Sequence, residues 1–332
     1  TDDGSGTLTD VQTLTVTVTN ANEAPVITSD GGGSTGAVSV AENQTAATTV
    51  AATDVDGDTV TYSISGGADQ SKFSIVGASG VLTFSSAPDF ETPTDSGTDN
   101  GYVVEVTATD NGSGALTDVQ TLTVTVTNGN DAPVITSDGG GTTGAVSVAE
   151  NQTAVTTVAA TDVDGDTLTY SISGGADQSK FSIVGASGVL TFFSAPDFET
   201  PTDSGTDNGY VVEVTATDNG SGALTDVQTL TVTVSEVDEA PSITSLDGNA
   251  TASVSVVEEQ TVAVDVNATD PEGAALAYSL SGGADQSHFT IDVFSGELTF
   301  SSAPDFLNPT DADSNNTYEV EVTATDDGSG AL

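Results

Sequence analysis

No cysteine, methionine or tryptophan occurs in the 332-residue chain, and its only permanent cations are Lys72 and Lys180. Each absence closes a class of function. Without cysteine there is no disulfide, no thiolate-held zinc and no thiol nucleophile. Two lysines stand against fifty aspartates and glutamates, a net charge of −48. Gripping a phosphate backbone needs a cationic footprint, so nucleic acid is excluded as a partner, and an anionic membrane surface with it. No stretch of eighteen apolar residues is present, so no spanning helix is expected and this segment has no membrane insertion.

What the chain does have is repetition. The phrase TDDGSGTL at residues 1–8 returns as TDNGSGAL at 109–116 and 217–224, then as TDDGSGAL at 325–332, each 108 residues after the last. Residues 133–234 repeat 25–126 with four changes: Ser34 to Thr142, Ala47 to Val155, Val60 to Leu168 and Ser85 to Phe193. A unit of that length can hold a small core of its own. Four segments follow: 1–24 as the last strand and linker of a preceding repeat, 25–132 and 133–240 as full repeats, and 241–332 as a repeat lacking its last strand.

Within the unit from Pro25, strand signals fall at 25–28, 37–41, 48–53, 59–65, 73–76, 81–85, 101–109 and 116–127. In the last of these Leu122, Val124 and Val126 share one face, while Thr121, Thr123, Thr125 and Thr127 share the other. That alternation marks a half-buried strand. Glycine-rich turns such as Asp30-Gly31-Gly32-Gly33 punctuate the run. Some seven short strands per repeat predict an antiparallel β-sandwich. Acidity with repetition could signal disorder, but alternating strands on this scale argue against it. Tyr62, Phe73, Phe84, Phe90 and Tyr102 fall on strand positions and read as core rather than as a sugar platform. Lys72, Lys180 and His288 occupy one repeating position and read as surface variation, not as a general base.

Acidic motifs recur with the same period. Ala41-Glu42-Asn43 returns around Glu150 and Glu258. Asp54-Val55-Asp56 returns at Asp162 and Asp164, then as Asp270 and Glu272. Asp89-Phe90-Glu91 returns at Asp197 and Glu199, and as Asp305-Phe306-Leu307 with one carboxylate lost. In extended chain, residues i and i+2 point the same way, so Asp89 and Glu91 can project together around a buried Phe90, as can Asp54 and Asp56 around Val55. Clustered carboxylates repel unless protonated or bridged by a cation, and Ca²⁺ takes six to eight oxygen ligands. An EF-hand loop starting at Asp54 fails, because Thr59 and Ser65 stand where its glycine and closing glutamate belong. Paired carboxylates could in principle hydrolyse glycosides, but no cleft-forming insertion accompanies them, and no enzymatic activity is expected.

The ordered set of AEN, ATDVD, FSI, GVLTF, PDFE, YVVEVTATDNG and VTVTNGNDAP resembles the cadherin repeat, of the kind found in large bacterial surface proteins. The resemblance implies an all-β chain of tandem seven-stranded Greek-key sandwiches, end to end, extracellular, with Ca²⁺ at each junction. It implies a first junction of Glu42, Asp89, Glu91, Asn128, Asn130 and Asp131 with Asp162, Asp164 and Asp218. It implies a second of Glu150, Asp197, Glu199, Glu236, Asp238 and Glu239 with Asp270, Glu272 and Asp326, and a partial one of Asn20, Asn22, Glu23, Asp54, Asp56 and Asp110. The linkers depart from the family run at Asn20, Asn128 and Glu236 and at Ala24, Ala132 and Ala240. Two roles are open. One is a calcium-stiffened spacer whose partners are its own neighbouring repeats. The other is self-association of identical chains head to tail, with residues 9–20 of one completing the third repeat of another.

Overall fold

The computed structural model describes residues 9–328. The chain divides into two compact units, residues 1–131 and 132–332.

In the first unit, nine short strands build one sandwich: β1 (Val26–Ile27), β2 (Thr35–Ala41), β3 (Ala46–Thr49), β4 (Ala52–Thr53), β5 (Thr61–Gly66), β6 (Phe73–Ile75), β7 (Val81–Phe84), β8 (Gly101–Thr109) and β9 (Thr117–Thr127). One sheet runs in the order β2-β9-β8-β5 and the facing one β3-β7-β6, with β1 and β4 paired separately. Each of the eight expected strand segments is there, and the one at 48–53 is broken into β3 and β4. Alternation decides which residues meet. β8 buries Tyr102, Val104, Val106 and Ala108, β9 buries Leu122, Val124 and Val126, and Phe73, Leu82 and Phe84 close the core from the other sheet. Phe73 and Phe84 lie 4.5 Å apart between ring centres, and Tyr102 meets Phe84 edge-on at 5.2 Å. Those aromatics are core, as their strand positions require.

One feature departs from the purely antiparallel expectation. β2 runs parallel to β9, with Val38 opposite Val124 and Val40 opposite Val126. The cause is the turn at Asp30-Gly31-Gly32-Gly33, where four successive residues have positive φ, from 52° to 90°. Such a run is open mainly to glycine. It carries the chain out of its pairing with β4 and onto the other sheet without reversing direction.

The second unit holds two sandwiches. Residues 133–235 reproduce the nine segments as β10–β18, from Val134–Ile135 to Thr225–Ser235, with the same pairings. The next gives β19 (Ser242–Ile243), β20 (Val262–Asp265), β21 (Ala268–Thr269), β22 (Ala277–Gly282), β23 (Phe289–Ile291), β24 (Glu297–Phe300) and β25 (Glu321–Thr325). Among the described residues its β22-β25 sheet has two strands, and its cluster of buried residues comprises Phe289, Leu298 and Phe300. No helix among the described residues is long and apolar enough to cross a membrane.

Candidate metal centre

The acidic groups are set at the ends of each sandwich by backbone hydrogen bonds. Glu42 follows β2 and is buried; its Oε2 accepts the Phe90 N–H at 2.6 Å and its Oε1 the Gly129 N–H at 2.7 Å. One carboxylate thereby ties the end of β2 to the 88–91 loop and to the linker. Glu42, Asp89 and Glu91 each bring an oxygen within 4.8 Å of the others. Asp89 Oδ1 also accepts the Thr92 N–H at 2.8 Å, and Phe90 packs against the core. From the linker, Asp131 Oδ1 accepts a hydrogen bond from Asn43 at 2.9 Å, while Asn128 is exposed and Asn130 half-buried.

At the opposite end of the same sandwich, Asp54 Oδ1 accepts the N–H groups of Asp56 at 2.9 Å and Asp58 at 3.2 Å. Asp110, buried just past β8, accepts those of Gly112 and Leu116. The preceding linker closes on them. Asn20 donates to Asp56, the Glu23 N–H reaches Asp56 Oδ2 at 2.8 Å, and Asn22 donates to Asp110 at 3.2 Å. All six residues named for this partial junction come together. Of the nine named for the first junction, Glu42, Asp89, Glu91, Asn128, Asn130 and Asp131 belong to residues 1–131. Asp162, Asp164 and Asp218 belong to residues 132–332, where Asp162 and Asp164 gather with Asp166 and Asp218 accepts the Gly220 N–H at 2.9 Å.

Two expectations about local geometry are corrected. Neither Asp54-Val55-Asp56 nor Asp89-Phe90-Glu91 lies on a strand, and Val55 is 81% exposed rather than turned inward. The carboxylates converge because each first aspartate folds the chain back by accepting nearby N–H groups, as short acidic side chains do in turns.

The second junction lies wholly within residues 132–332. Glu150 accepts the Phe198 N–H at 2.7 Å and the Val237 N–H at 2.8 Å. Asn151 donates to Glu239, and the Glu239 N–H reaches Glu272 at 3.2 Å. Glu150, Glu199, Glu239 and Glu272 thus bring four carboxylate oxygens within 4.8 Å of one another. Buried Oε2 atoms of Glu199 and Glu272, and Oδ2 of Asp270, accept no hydrogen bond. Burial, then the charges of Glu150, Glu239 and Asp197, raise the Glu199 carboxyl above its ordinary range. Burial likewise raises Glu272, with Glu239 and Asp270 beside it adding to the effect. Asp166 is raised by burial and by Asp162, Asp218 and Asp164, and Asp58 by burial, Asp54, Asp110 and Asp56. The remaining residues named for this junction stand outside the four-glutamate group. Asp197 is exposed and caps the Thr200 N–H at 2.8 Å, Glu236 is exposed, and Asp238 lies against Gly328, whose N–H donates to Asp326.

Sequence reasoning missed Asp58 and Asp166, and the linker-gripping amides of Asn43 and Asn151. The signals were there, a third acid in DVDGD and an invariant Asn after the glutamate of AEN in the first two repeats. Chemically, packed carboxylates with buried, undonated oxygens are a hard, all-oxygen ligand set. Such oxygens take either protons or a cation of the Ca²⁺ class.

A family model described as the cadherin domain matches residues 37–127 and 145–235. Mouse protocadherin Fat 4 is 31% identical over 285 residues, 81% of this chain and 5% of that protein. Human protocadherin Fat 1 is 34% identical over 186 residues, 55% of this chain and 4% of that protein. The chain therefore spans only a small fraction of the relatives' length. Among solved structures, mouse cadherin-23 EC22-24 is alike in fold, with a TM-score of 0.51 at 22% identity, covering 93% of this chain and 95% of that one. These relatives are animal proteins, and they lend no support to a bacterial origin.

Proposed function

The chain belongs to the cadherin family, and we propose that it is a calcium-binding spacer in an extracellular adhesion protein, its repeats held in series by Ca²⁺. The supporting observation is the second junction, where Glu150 and Glu199 of one repeat meet the linker's Glu239 and the next repeat's Glu272 within 4.8 Å. The undonated oxygens of Glu199 and Glu272 fit a hard dication, and Glu42, Asp89 and Glu91 repeat the Glu150, Asp197 and Glu199 set one repeat earlier. Glu42, Asp89, Glu91, Asn128, Asn130 and Asp131 are proposed as an upstream ligand half, and Asp162, Asp164, Asp166 and Asp218 as a downstream half. Asn20, Asn22, Glu23, Asp54, Asp56, Asp58 and Asp110 form a further set. At the second junction Asp197, Glu236, Asp238, Asp270 and Asp326 supply charge around the four glutamates. Bound Ca²⁺ would supply compensating charge and would restrict the linkers.

A ligand that binds only the folded state stabilises it by the logarithm of its concentration over its dissociation constant, about 1.4 kcal/mol per site at ten times that constant. Calorimetric titration of the chelator-stripped chain with Ca²⁺ should show saturable binding, and the melting temperature should climb with free Ca²⁺. No binding heat at millimolar calcium, with melting unchanged by chelator, would overturn the proposal.

A second reading has its own observation. Residues 10–19 repeat the sequence of 118–127, which form most of β9, yet Val11, Leu14, Val16 and Val18 are 77–91% exposed. In the third repeat residues 252–257, counterparts of β2, have no strand partner among the described residues. Strand donation between copies would satisfy both. A monodisperse monomer in sedimentation at millimolar calcium would exclude it.

A further inference from the structure

We infer that Asn128 is a site of spontaneous covalent modification, its side-chain amide converting to a carboxylate through a cyclic imide with Gly129. The reaction balances simply. The Gly129 nitrogen attacks Asn128 Cγ, the N–Cγ bond forms, the Cγ–Nδ2 bond breaks, and ammonia leaves with the proton that Gly129 gives up. Water then opens the ring, at Cγ to give aspartate or at the main-chain carbonyl to give isoaspartate. The net change is one water consumed and one ammonia released.

The chain contains five Asn-Gly pairs, at Asn100, Asn111, Asn128, Asn208 and Asn219, and the structure treats them differently. Asn100 and Asn208 are buried, and their amides donate to the carbonyls of Phe90 and Phe198 at 2.9 and 2.8 Å. Asn111 and Asn219 are pinned through Oδ1 by the N–H groups of Thr59 and Thr167, at 2.8 and 2.7 Å. Asn128 is exposed, lies one residue beyond the end of β9, and makes no side-chain hydrogen bond among the described residues. Its Cγ is free to rotate onto the following nitrogen. That nitrogen donates to Glu42 Oε1 at 2.7 Å.

Gly129 is not required by the backbone. Its φ is not positive, an added Cβ would meet nothing closer than 3.6 Å, and Val237 makes the same hydrogen bond to Glu150 one repeat later. A β-branched residue there hinders ring closure, because its stiff side chain crowds the attacking nitrogen. The second linker therefore reads Glu236-Val237, an acid from the start and unable to form the imide. The first reads Asn128-Gly129, neutral when made and acidic with age. Conversion adds a carboxylate to the repeat end that carries Glu42, Asp89 and Glu91. The conversion does not depend on the calcium proposal; only its effect on calcium affinity does.

The test is to age the full chain at mildly alkaline pH and follow the amide-to-acid mass change at all five pairs by fragmentation mass spectrometry that separates aspartate from isoaspartate. Asn128 should convert about tenfold faster than any other pair, and Gly129→Val should abolish its conversion while leaving the melting temperature unchanged. Conversion at Asn128 no faster than at Asn111 and Asn219, or undiminished in Gly129→Val, would overturn the inference. In calorimetric Ca²⁺ titration, Asn128→Asp should bind more tightly than the parent chain. Equal affinity with normal ageing kinetics would remove the functional consequence and leave the chemistry standing.

Discussion

On the calcium proposal, Glu199 is the residue at which metal and proton would compete most directly. Its Oε2 is buried without a donor, and burial together with Glu150, Glu239 and Asp197 raises its carboxyl. A raised folded-state value means the folded chain binds this proton more tightly than the unfolded chain does. Without metal, stability therefore falls as pH rises through the raised range and recovers on acidification from neutrality. Calcium-loaded protein should respond oppositely, because protons displace the ion. The Glu199→Gln variant should thus melt higher than the parent in chelator and bind Ca²⁺ about tenfold more weakly, a loss of about 1.4 kcal/mol. Scanning calorimetry in both conditions reads the two signs, and a shift of the same sign in both would remove Glu199 from the ligand set. The sequence made Glu199, Glu239 and Glu272 legible, because their motifs recur with the repeat. It did not show the turn at Thr200, where Asp197 caps the Thr200 N–H and acts on Glu199 through its charge while staying outside the four-glutamate group.

Strands were legible because burial on one face writes a period of two into the sequence, as in Tyr102, Val104, Val106 and Ala108 of β8. The parallel β2-β9 pair was not, because a glycine run signals a turn without saying which sheet receives the chain. Nor was Gln120, which continues the inward face of Leu122 and Val124 and is fully buried, donating to the Ser29 carbonyl at 3.3 Å. Turns between elements impose the sharper constraint. Gly80 precedes β7 with φ at +71°, and a Cβ there would lie 2.0 Å from the Val50 carbonyl oxygen. The Gly80 N–H and carbonyl are both used, bonding Val76 and Val50 at 2.8 and 2.9 Å, so the turn cannot shift without breaking them. Gly80→Ala should destabilise the first repeat by at least about 1–3 kcal/mol, read as a lower denaturation midpoint. Gly31→Ala, where nothing lies within 4 Å, carries the conformational strain alone and should cost less. Equal losses in the two variants would show that backbone conformation, not the clash, sets the cost.

For the whole molecule the decisive quantity is a net charge of −48, and two kinds of cation effect must be separated. Any salt screens self-repulsion, over a Debye length of about 10 Å at 0.1 M, and so stabilises a compact chain this acidic. Screening depends on ionic strength and is indifferent to where the charges sit. Binding depends on oxygens already gathered, as at Glu150, Glu199, Glu239 and Glu272, and saturates when those sites fill. Stripped of divalent ions, the chain should therefore melt higher as NaCl is added, gradually and without saturation. Millimolar CaCl₂ should raise the melting temperature well beyond NaCl of equal ionic strength. Part of that increment should persist in 0.5 M NaCl, where the Debye length is down to about 4 Å, because contacts at ligand distance are not screened by ions that cannot enter. If NaCl matched at equal ionic strength reproduces the calcium effect in full, the acidic clusters act only as diffuse charge, and the repeats are not joined by metal.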